Sequence, residues 1–226
     1  ELNPKDAEAY VNRGIAYDRK GDYDRAIQDY DKAIELNPKY AKAYYNRGNA
    51  YDSKGDFDRA IKDYDKAIEL NPKDAEAYVN RGIAYDRKGD YDRAIQDYDK
   101  AIELNPKDAE AHSNRGIAYG KKGDYDRAIR DFNKAIELNP RDAKAYNNRG
   151  SAYGKKGDYD RAIRDLNKAI ELNPRDAEAY KNRALAHYFK RQYGKAWADV
   201  RACQRLGGKV PPKLLEALRK ASGRNE

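Results

Sequence analysis

The 226-residue chain is poor in the side chains that carry most enzyme and metal chemistry. It has one Cys, two His, one Trp, three Phe and no Met. A single Cys cannot form an internal disulfide, and two isolated His residues give neither a catalytic triad nor a metal-ligand pattern. We therefore expect no enzyme activity, no metal site and no cofactor.

Long apolar runs are also missing, and none approaches the roughly 18 residues that a membrane-spanning helix needs, so we expect no membrane partner. Single glycines such as Gly21 and Gly55 stand alone at regular intervals and form no phosphate-binding loop. The mean hydropathy of −1.20 approaches that of disordered chains. However, 21 Tyr residues are more aromatic surface than a disordered chain usually carries, which favours a thin folded structure.

What the chain has is a 34-residue internal repeat. Residues 1–39 are identical to residues 69–107, and Ala-Ile-Glu-Leu-Asn-Pro occurs five times at 34-residue intervals. Self-similarity of this kind indicates a repeat architecture. We predict the tail of a preceding repeat at 1–6, followed by six repeats and a C-terminal capping helix at 211–226. The six predicted repeats span 7–40, 41–74, 75–108, 109–142, 143–176 and 177–210, and positions are counted below from the first residue of each.

Each repeat has the pattern of two short helices. Tyr10, Gly14 and Tyr17 lie on one face of a helix with a 3.6-residue period. Gly21-Asp22 breaks this pattern and starts a second helix, which Asn37-Pro38 ends. No segment alternates polar and apolar residues over a useful length, so we expect no β-sheet.

The motif Tyr10-x-x-Arg13-Gly14-x-x-Tyr17, followed by Ala26-x-x-x-Tyr30 and Pro38, resembles the tetratricopeptide repeat. The resemblance implies an all-α chain, an α-solenoid of six helix-turn-helix repeats in a right-handed superhelix. The first helices would line the concave side, and a C-terminal helix would cap the sixth repeat, where Ala184 replaces the usual Gly. It also implies a non-enzymatic scaffold that binds a protein or peptide segment in the concave groove.

The seventh position is Arg where this family usually has a buried Leu. Arg13 lies eight residues before Gly21 and Asp29 eight residues after it, so antiparallel helices place the two side chains at one level. A guanidinium near the core needs a partner, and we predict an ion pair in every repeat. The alternative is that these Arg side chains bind a ligand carboxylate. The predicted pairs are Arg13–Asp29, Arg47–Asp63, Arg81–Asp97, Arg115–Asp131, Arg149–Asp165 and Arg183–Asp199.

Positions five and nine vary between repeats and are predicted to lie together on a face turned away from the core. The resemblance implies that this face is the groove, and that the invariant Asn at position six binds the ligand backbone. The alternative is an Asn that ties adjacent repeats together. The candidate ligand-binding residues are Val11, Tyr45 and Val79 at position five, Asn12, Asn46, Asn80, Asn114 and Asn148 at position six, and Ile15, Asn49, Ile83 and Ile117 at position nine.

The sequence allows two other functions. The first repeat lacks a capping helix and could pair with a second copy, which would give a head-to-tail or dimeric structural array. The formal net charge of +8 allows an RNA partner, but RNA-reading arrays of this kind repeat every 35 residues, so a nucleic acid is not the expected partner. The charge is uneven, −4 over residues 1–108 and +12 over residues 109–226, which could attract an acidic partner to the second half.

Overall fold

The computed structural model describes residues 6–223. Every regular element in that range is an α-helix, which confirms the predicted all-α class. The predicted repeat tail at 1–5 and the last residues of the predicted capping segment, 224–226, lie outside the described residues. The helices are α1 (Ala7–Arg19), α2 (Tyr23–Leu36), α3 (Ala41–Ser53), α4 (Phe57–Leu70), α5 (Ala75–Arg87), α6 (Tyr91–Leu104), α7 (Ala109–Lys121), α8 (Tyr125–Leu138), α9 (Ala143–Lys155), α10 (Tyr159–Leu172), α11 (Ala177–Phe189), α12 (Tyr193–Arg205) and α13 (Pro212–Ser222).

Local sequence signals explain where the helices begin and end. The Asp74 carboxylate accepts hydrogen bonds from the backbone N–H groups of Glu76 and Ala77 and so caps α5. Asp90 caps α6 in the same way. Between them Gly89 has φ +82°, a left-handed conformation that Gly adopts without steric cost. The turn glycine and the Asp cap of the second helix recur in each of the first five repeats and fold it into a helix pair, whereas α3 begins after Tyr40 without a side-chain cap.

The two helices of a repeat approach closely because a glycine faces an aromatic ring. A Cβ atom built on Gly82 would lie 2.7 Å from Cε1 of Tyr98, which is closer than real contacts allow. Gly14 faces Tyr30 and Gly116 faces Phe132 in the same way. In the first four repeats the core of the helix pair is therefore a glycine on the first helix and an aromatic ring on the second.

The described chain forms two compact units, residues 6–107 and residues 108–223. In the first unit α1 contacts α3 and α3 contacts α5, and in the second α7 contacts α9 and α9 contacts α11. The second helices of neighbouring repeats within a unit approach each other less closely than these first helices do. Each unit therefore has its first helices on the inner side of its curvature.

The last helix covers the apolar end of the second unit. Leu214 and Leu218 of α13 pack in one cluster with Trp197 and Val200 of α12. The indole N–H of Trp197 donates a hydrogen bond to Ser222 Oγ at 3.1 Å. Within the described residues, none of the helices has the length and apolar character needed to cross a membrane.

Candidate functional site

The Arg and Asp side chains of positions seven and 23 meet inside every repeat. In the third repeat, Arg81 Nε donates to Asp97 Oδ2 at 2.8 Å and Arg81 Nη2 donates to Asp97 Oδ1 at 2.6 Å. The Asp side chains are buried, with 5% of Asp97 exposed. The same two-bond geometry occurs in the pairs Arg13–Asp29, Arg47–Asp63, Arg115–Asp131, Arg149–Asp165 and Arg183–Asp199.

The arginines of the second, third, fifth and sixth repeats also join neighbouring repeats, which the sequence reasoning missed. Arg81 Nη1 donates to Asp65 of the preceding repeat at 2.6 Å, and Arg183 Nη1 donates to Asn167 at 2.7 Å. Burial lowers the pKa of Arg81, but the hydrogen bonds to Asp97 and Asp65 outweigh burial and raise it. The signal was the Asp or Asn at position 25 of the first five repeats. These guanidinium groups are therefore engaged within the scaffold.

The structure departs from the expectation for two groove candidates at position five. Val11 is fully buried, and 6% of Val79 is exposed, so neither side chain can line an open groove. Val11 packs in a core cluster with Ala26, Tyr30 and Ala43. The physical reason is that this helix face meets the next repeat, whereas the periodicity of one helix shows only which face avoids its own partner.

Two position-six asparagines, Asn80 and Asn182, tie repeats together, as the alternative reading of the sequence allowed. Asn80 Nδ2 donates to Tyr45 Oη at 2.9 Å and to Asn49 Oδ1 at 3.1 Å, and Tyr64 Oη donates to the same Asn49 oxygen at 2.8 Å. Tyr45, Asn49 and Asn80 thus form one polar network between the second and third repeats. In the second unit Asn182 donates to Asn147 at 3.0 Å.

The remaining candidates are spread over both units. Asn12 is exposed at the first helix, and Ile15 and Ile83 are half-buried. The Nδ2 atoms of Asn46 and Asn114 are buried without a hydrogen-bond partner. Ile117 and Asn148 lie together in the second unit, on the wall of a depression between α7 and α9.

That depression is the first of three along the inner side of the second unit, which we name the repeat 4–6 groove. The first has a volume of about 310 Å³, the second, between α9 and α11, about 520 Å³, and the third, between α11 and α13, about 280 Å³. The residues that line them include Ile117, Gly120, Lys121, Phe132, Asn148, Ser151, Gly154, Lys155, Tyr159, Glu178, Lys181, Asn182, Leu185, Tyr188, Phe189, Lys213, Leu214 and Ala217.

Glycines at position twelve leave room for the first two depressions. A Cβ atom on Gly154 would meet nothing closer than the Ala162 Cβ atom at 3.9 Å, and Gly120 is equally open. Repeats 1–3 have Asp at this position. There Asp52 bonds to Arg87 at 2.5 Å, and burial raises the pKa of Asp52 although Arg87 lowers it. Repeats 4 and 5 therefore have open space where repeat 2 has a half-buried carboxylate.

Large apolar side chains are exposed at the second depression. Phe189 is 51% exposed and Leu185 is 38% exposed. The Phe189 ring stacks on Tyr159 with centroids 5.0 Å apart, and Tyr188 meets its edge at 5.3 Å. The sequence reasoning missed this cluster. The available signal was Phe at position thirteen, where the other repeats have Arg, Ser or Lys.

The chain's His and Cys side chains serve packing at the described positions. His187 is buried and its Nδ1 lies 2.7 Å from Gln192 Oε1, and burial lowers its pKa. Cys203 is buried, and burial raises the pKa of its thiol, so a nucleophilic thiolate is disfavoured. Within residues 6–223, no group of three or more His, Cys, Asp or Glu side chains is arranged to hold a metal ion.

Comparison with protein families gives one consistent result. A profile described as Tetratricopeptide repeat matches residues 7–40, 109–142 and 143–176, and two further profiles with the same description match residues 45–109 and 166–198. Among curated proteins, no sequence matches the chain.

Solved structures of similar fold include several repeat proteins. YrrB, described as a TPR protein with an unusual peptide-binding site, is 30% identical, with 78% of this chain and 91% of YrrB covered and a TM-score of 0.67. MamA is 32% identical over 73% of this chain and 96% of its own, with a TM-score of 0.68. A tetratricopeptide repeat protein from Parabacteroides merdae is 27% identical over 99% of this chain and 86% of its own, with a TM-score of 0.71.

Proposed function

Because this chain belongs to the tetratricopeptide repeat family, we propose that it is a non-enzymatic scaffold that binds a segment of another protein in the repeat 4–6 groove. The observation that carries the proposal is the exposed pair Leu185 and Phe189 beside a depression of about 520 Å³. Exposed apolar side chains around a concave surface are typical of protein-binding sites. The peptide-binding site named for the similar protein YrrB supports the same class of ligand.

The proposal keeps part of the binding surface expected from the sequence and shifts its centre. Ile117 and Asn148 belong to it, because they line the first depression. Ser151 and Asn182 add polar groups at the second depression. Val11 and Val79 are left out because they are buried.

Self-assembly through the first repeat has less support. Head-to-tail stacking would need the outer face of the last helix pair, and α13 already covers that face through Leu214 and Leu218. In addition, Arg13 is 45% exposed at the other end, and position 25 of the last repeat is Arg201, which has the wrong charge to pair with Arg13. A binding role therefore fits the second unit better than an array of copies does.

The test is a selection of displayed random peptides on the full chain. Two variants replace groove residues of the sixth repeat by the residues at the same positions of the fifth. They are Leu185→Ser, which copies Ser151, and Phe189→Lys, which copies Lys155. We expect peptides that bind the parent chain and lose affinity for both variants. Leu206→Ser is the matched control, because Leu206 is 39% exposed outside the groove. Selected peptides that bind all variants equally would refute the proposed site, and the absence of any binder would refute the function.

A further inference from the structure

We infer that the segment is acidic, that it carries an apolar side chain at every third residue and that it binds in a polyproline II conformation. This inference rests on the proposed function and adds the chemistry of the ligand. The observations behind it are the spacing of the three depressions, the polar groups between them and the charge of their rims.

The spacing follows from the fold. The depressions lie between α7 and α9, between α9 and α11, and between α11 and α13. Packed helices have axes about 8–10 Å apart, so successive depressions repeat at about that distance. A polyproline II segment rises about 3.1 Å per residue with three residues per turn, which places every third side chain on one face at intervals of about 9 Å. A β-strand turns every third side chain to the opposite face.

The polar lining also favours polyproline II over an α-helix. Seven helical residues would span about 10 Å and could match the period, but a helix satisfies its own backbone groups. A polyproline II backbone has no internal hydrogen bonds and needs partners. Asn148 and Ser151 line the first depression, and Ser151 and Asn182 line the second, so amide and hydroxyl groups recur beside the apolar surface.

The floor of the groove favours apolar side chains. Ile117 and Phe132 lie at the first depression, and Leu185 and Phe189 lie at the second. The third contains Leu185, Tyr188, Leu214 and Ala217. One side chain of Leu or Phe size per depression would remove this surface from water, which is favourable by about 25 cal/mol per Å².

The rims favour acidic residues at the other positions of the ligand. The first depression is lined by Lys121 and Lys155, and the third by Lys181 and Lys213, and neither lining includes an Asp or Glu. The second has Lys155 and one acid, Glu178, which accepts a hydrogen bond from Lys181 at 2.6 Å, so these two charges offset each other and the three linings together keep a net positive charge. Residues 109–226 carry a net charge of +12, which extends the attraction beyond the groove.

The experiment measures fluorescence anisotropy of labelled peptides with the full chain. The probe is a twelve-residue peptide of Asp-Pro-Leu repeats, which carries acid, polyproline II preference and the apolar period together. Matched peptides replace Asp by Lys, or Leu by Ser, or keep the composition with Leu at irregular spacing. A peptide designed as a helix with Leu at every seventh residue tests the helical mode, and oligouridylate tests RNA.

We expect the Asp-Pro-Leu peptide to bind, and each matched peptide to lose at least about tenfold in affinity. Gly154→Asp, which installs the residue of repeats 1–3, should weaken binding by a similar factor because it fills the second depression and adds negative charge. Leu206→Ser should leave the affinity unchanged. Unchanged melting temperatures would show that the variants are folded.

Four outcomes would overturn the inference. Equal affinity for the Lys-Pro-Leu peptide would contradict the acidic partner, and tighter binding of the helical peptide or of oligouridylate would contradict the conformation or the class of ligand. Random peptides that bind through Leu185 and Phe189 but share neither acid nor period would refute the inference and leave the proposed function standing. The two proposals therefore fail in distinguishable ways.

Discussion

The third and sixth repeats solve the same packing problem with different residues. In the third, Gly82 faces Tyr98, and Gly89 forms the turn with φ +82°. In the sixth, Ala184 and Val200 take the positions of Gly82 and Tyr98, and Arg191 takes the turn position with φ +58°. Despite these exchanges the ion pair is the same, with Arg183 Nη2 and Asp199 Oδ1 2.6 Å apart.

The comparison separates what holds a repeat together from what differs at its surface. The buried Arg–Asp pair recurs with either core, so its geometry depends on the antiparallel helices and not on the aromatic ring. The sixth repeat has in addition Phe189 exposed on its inner side, where the third has Arg87 bonded to Asp52. Framework and binding surface thus use different positions of the repeat.

The largest expected effect is the loss of one partner of the ion pair. We expect Asp97→Ala and Asp199→Ala each to lower the free energy of unfolding by about 3–5 kcal/mol, because each removes the buried two-bond partner of a half-buried guanidinium, which keeps only its single bond to Asp65 or Asn167 of the preceding repeat. Arg81 is 19% exposed and Arg183 20%, so the two costs should be similar despite the different cores. Denaturant unfolding of the full chain measures both.

Asp29→Ala is the matched control for that prediction. Its partner Arg13 is 45% exposed, so water can solvate the unpaired guanidinium and the cost should be smaller. Replacing both Arg81 and Asp97 by Leu should be nearly neutral. Equal small effects of all three single changes would show that the pair contributes little.

The second effect concerns the contact of Gly82 with Tyr98. Gly82→Ala should destabilise, because overpacking costs about 1–3 kcal/mol and exceeds the gain of about 1 kcal/mol in helix propensity. In a Tyr98→Val background, which copies the sixth repeat, the same change should cost less. A double-mutant cycle measures the difference, and a coupling free energy of zero would contradict the steric explanation.

A smaller effect of opposite sign is expected at the turn of the sixth repeat. Arg191 is the one described non-glycine residue with positive φ. Arg191→Gly should stabilise by about 0.5–1 kcal/mol, because the left-handed conformation costs an L-residue about 1–2 kcal/mol and glycine loses part of the gain as chain entropy. The reverse exchange, Gly89→Arg, should destabilise the third repeat. Thermal unfolding measures both variants. A lower melting temperature for Arg191→Gly or a higher one for Gly89→Arg would contradict the prediction.

The smallest expected effect concerns the buried Tyr at position 24, which repeats 1–3 have and the sixth repeat lacks. Burial raises the pKa of Tyr64 above its ordinary value of 10.0, so the phenol stays neutral in the folded chain while it ionises in the unfolded chain. Its contribution to stability is complete below pH 10 and is lost as the pH rises above that value. Tyr64→Phe, which copies Phe132 of the fourth repeat, should reduce this alkaline loss. Val200→Ile, which introduces no phenol, is the control, and equal pH profiles for both would contradict this assignment.

The sequence was sufficient for the parts of the structure that depend on local signals. Asp74 and Asp90 cap helices and Gly89 forms a turn through contacts within a few residues, so the helix pairs follow from the pattern. The pairing of Arg81 with Asp97 followed from their symmetric distance to the turn.

The groove depends on contacts that one repeat does not contain. Val11 looked exposed because its own helix partner does not cover it, yet the neighbouring repeat does. Leu185 and Phe189 were not among the groove residues expected from the sequence, and their importance depends on the space that Gly154 leaves beside them. Both features require the packing of successive repeats.

The most direct test of the binding site is photocrosslinking of a selected peptide to the full chain. A photoreactive amino acid at Ser151, which lines the first two depressions, is compared with one at Arg164, which is exposed on α10. We predict peptide crosslinks at position 151 that disappear with Phe189→Lys, and none at position 164. Crosslinks at position 164 alone would place the ligand outside the groove and contradict the account.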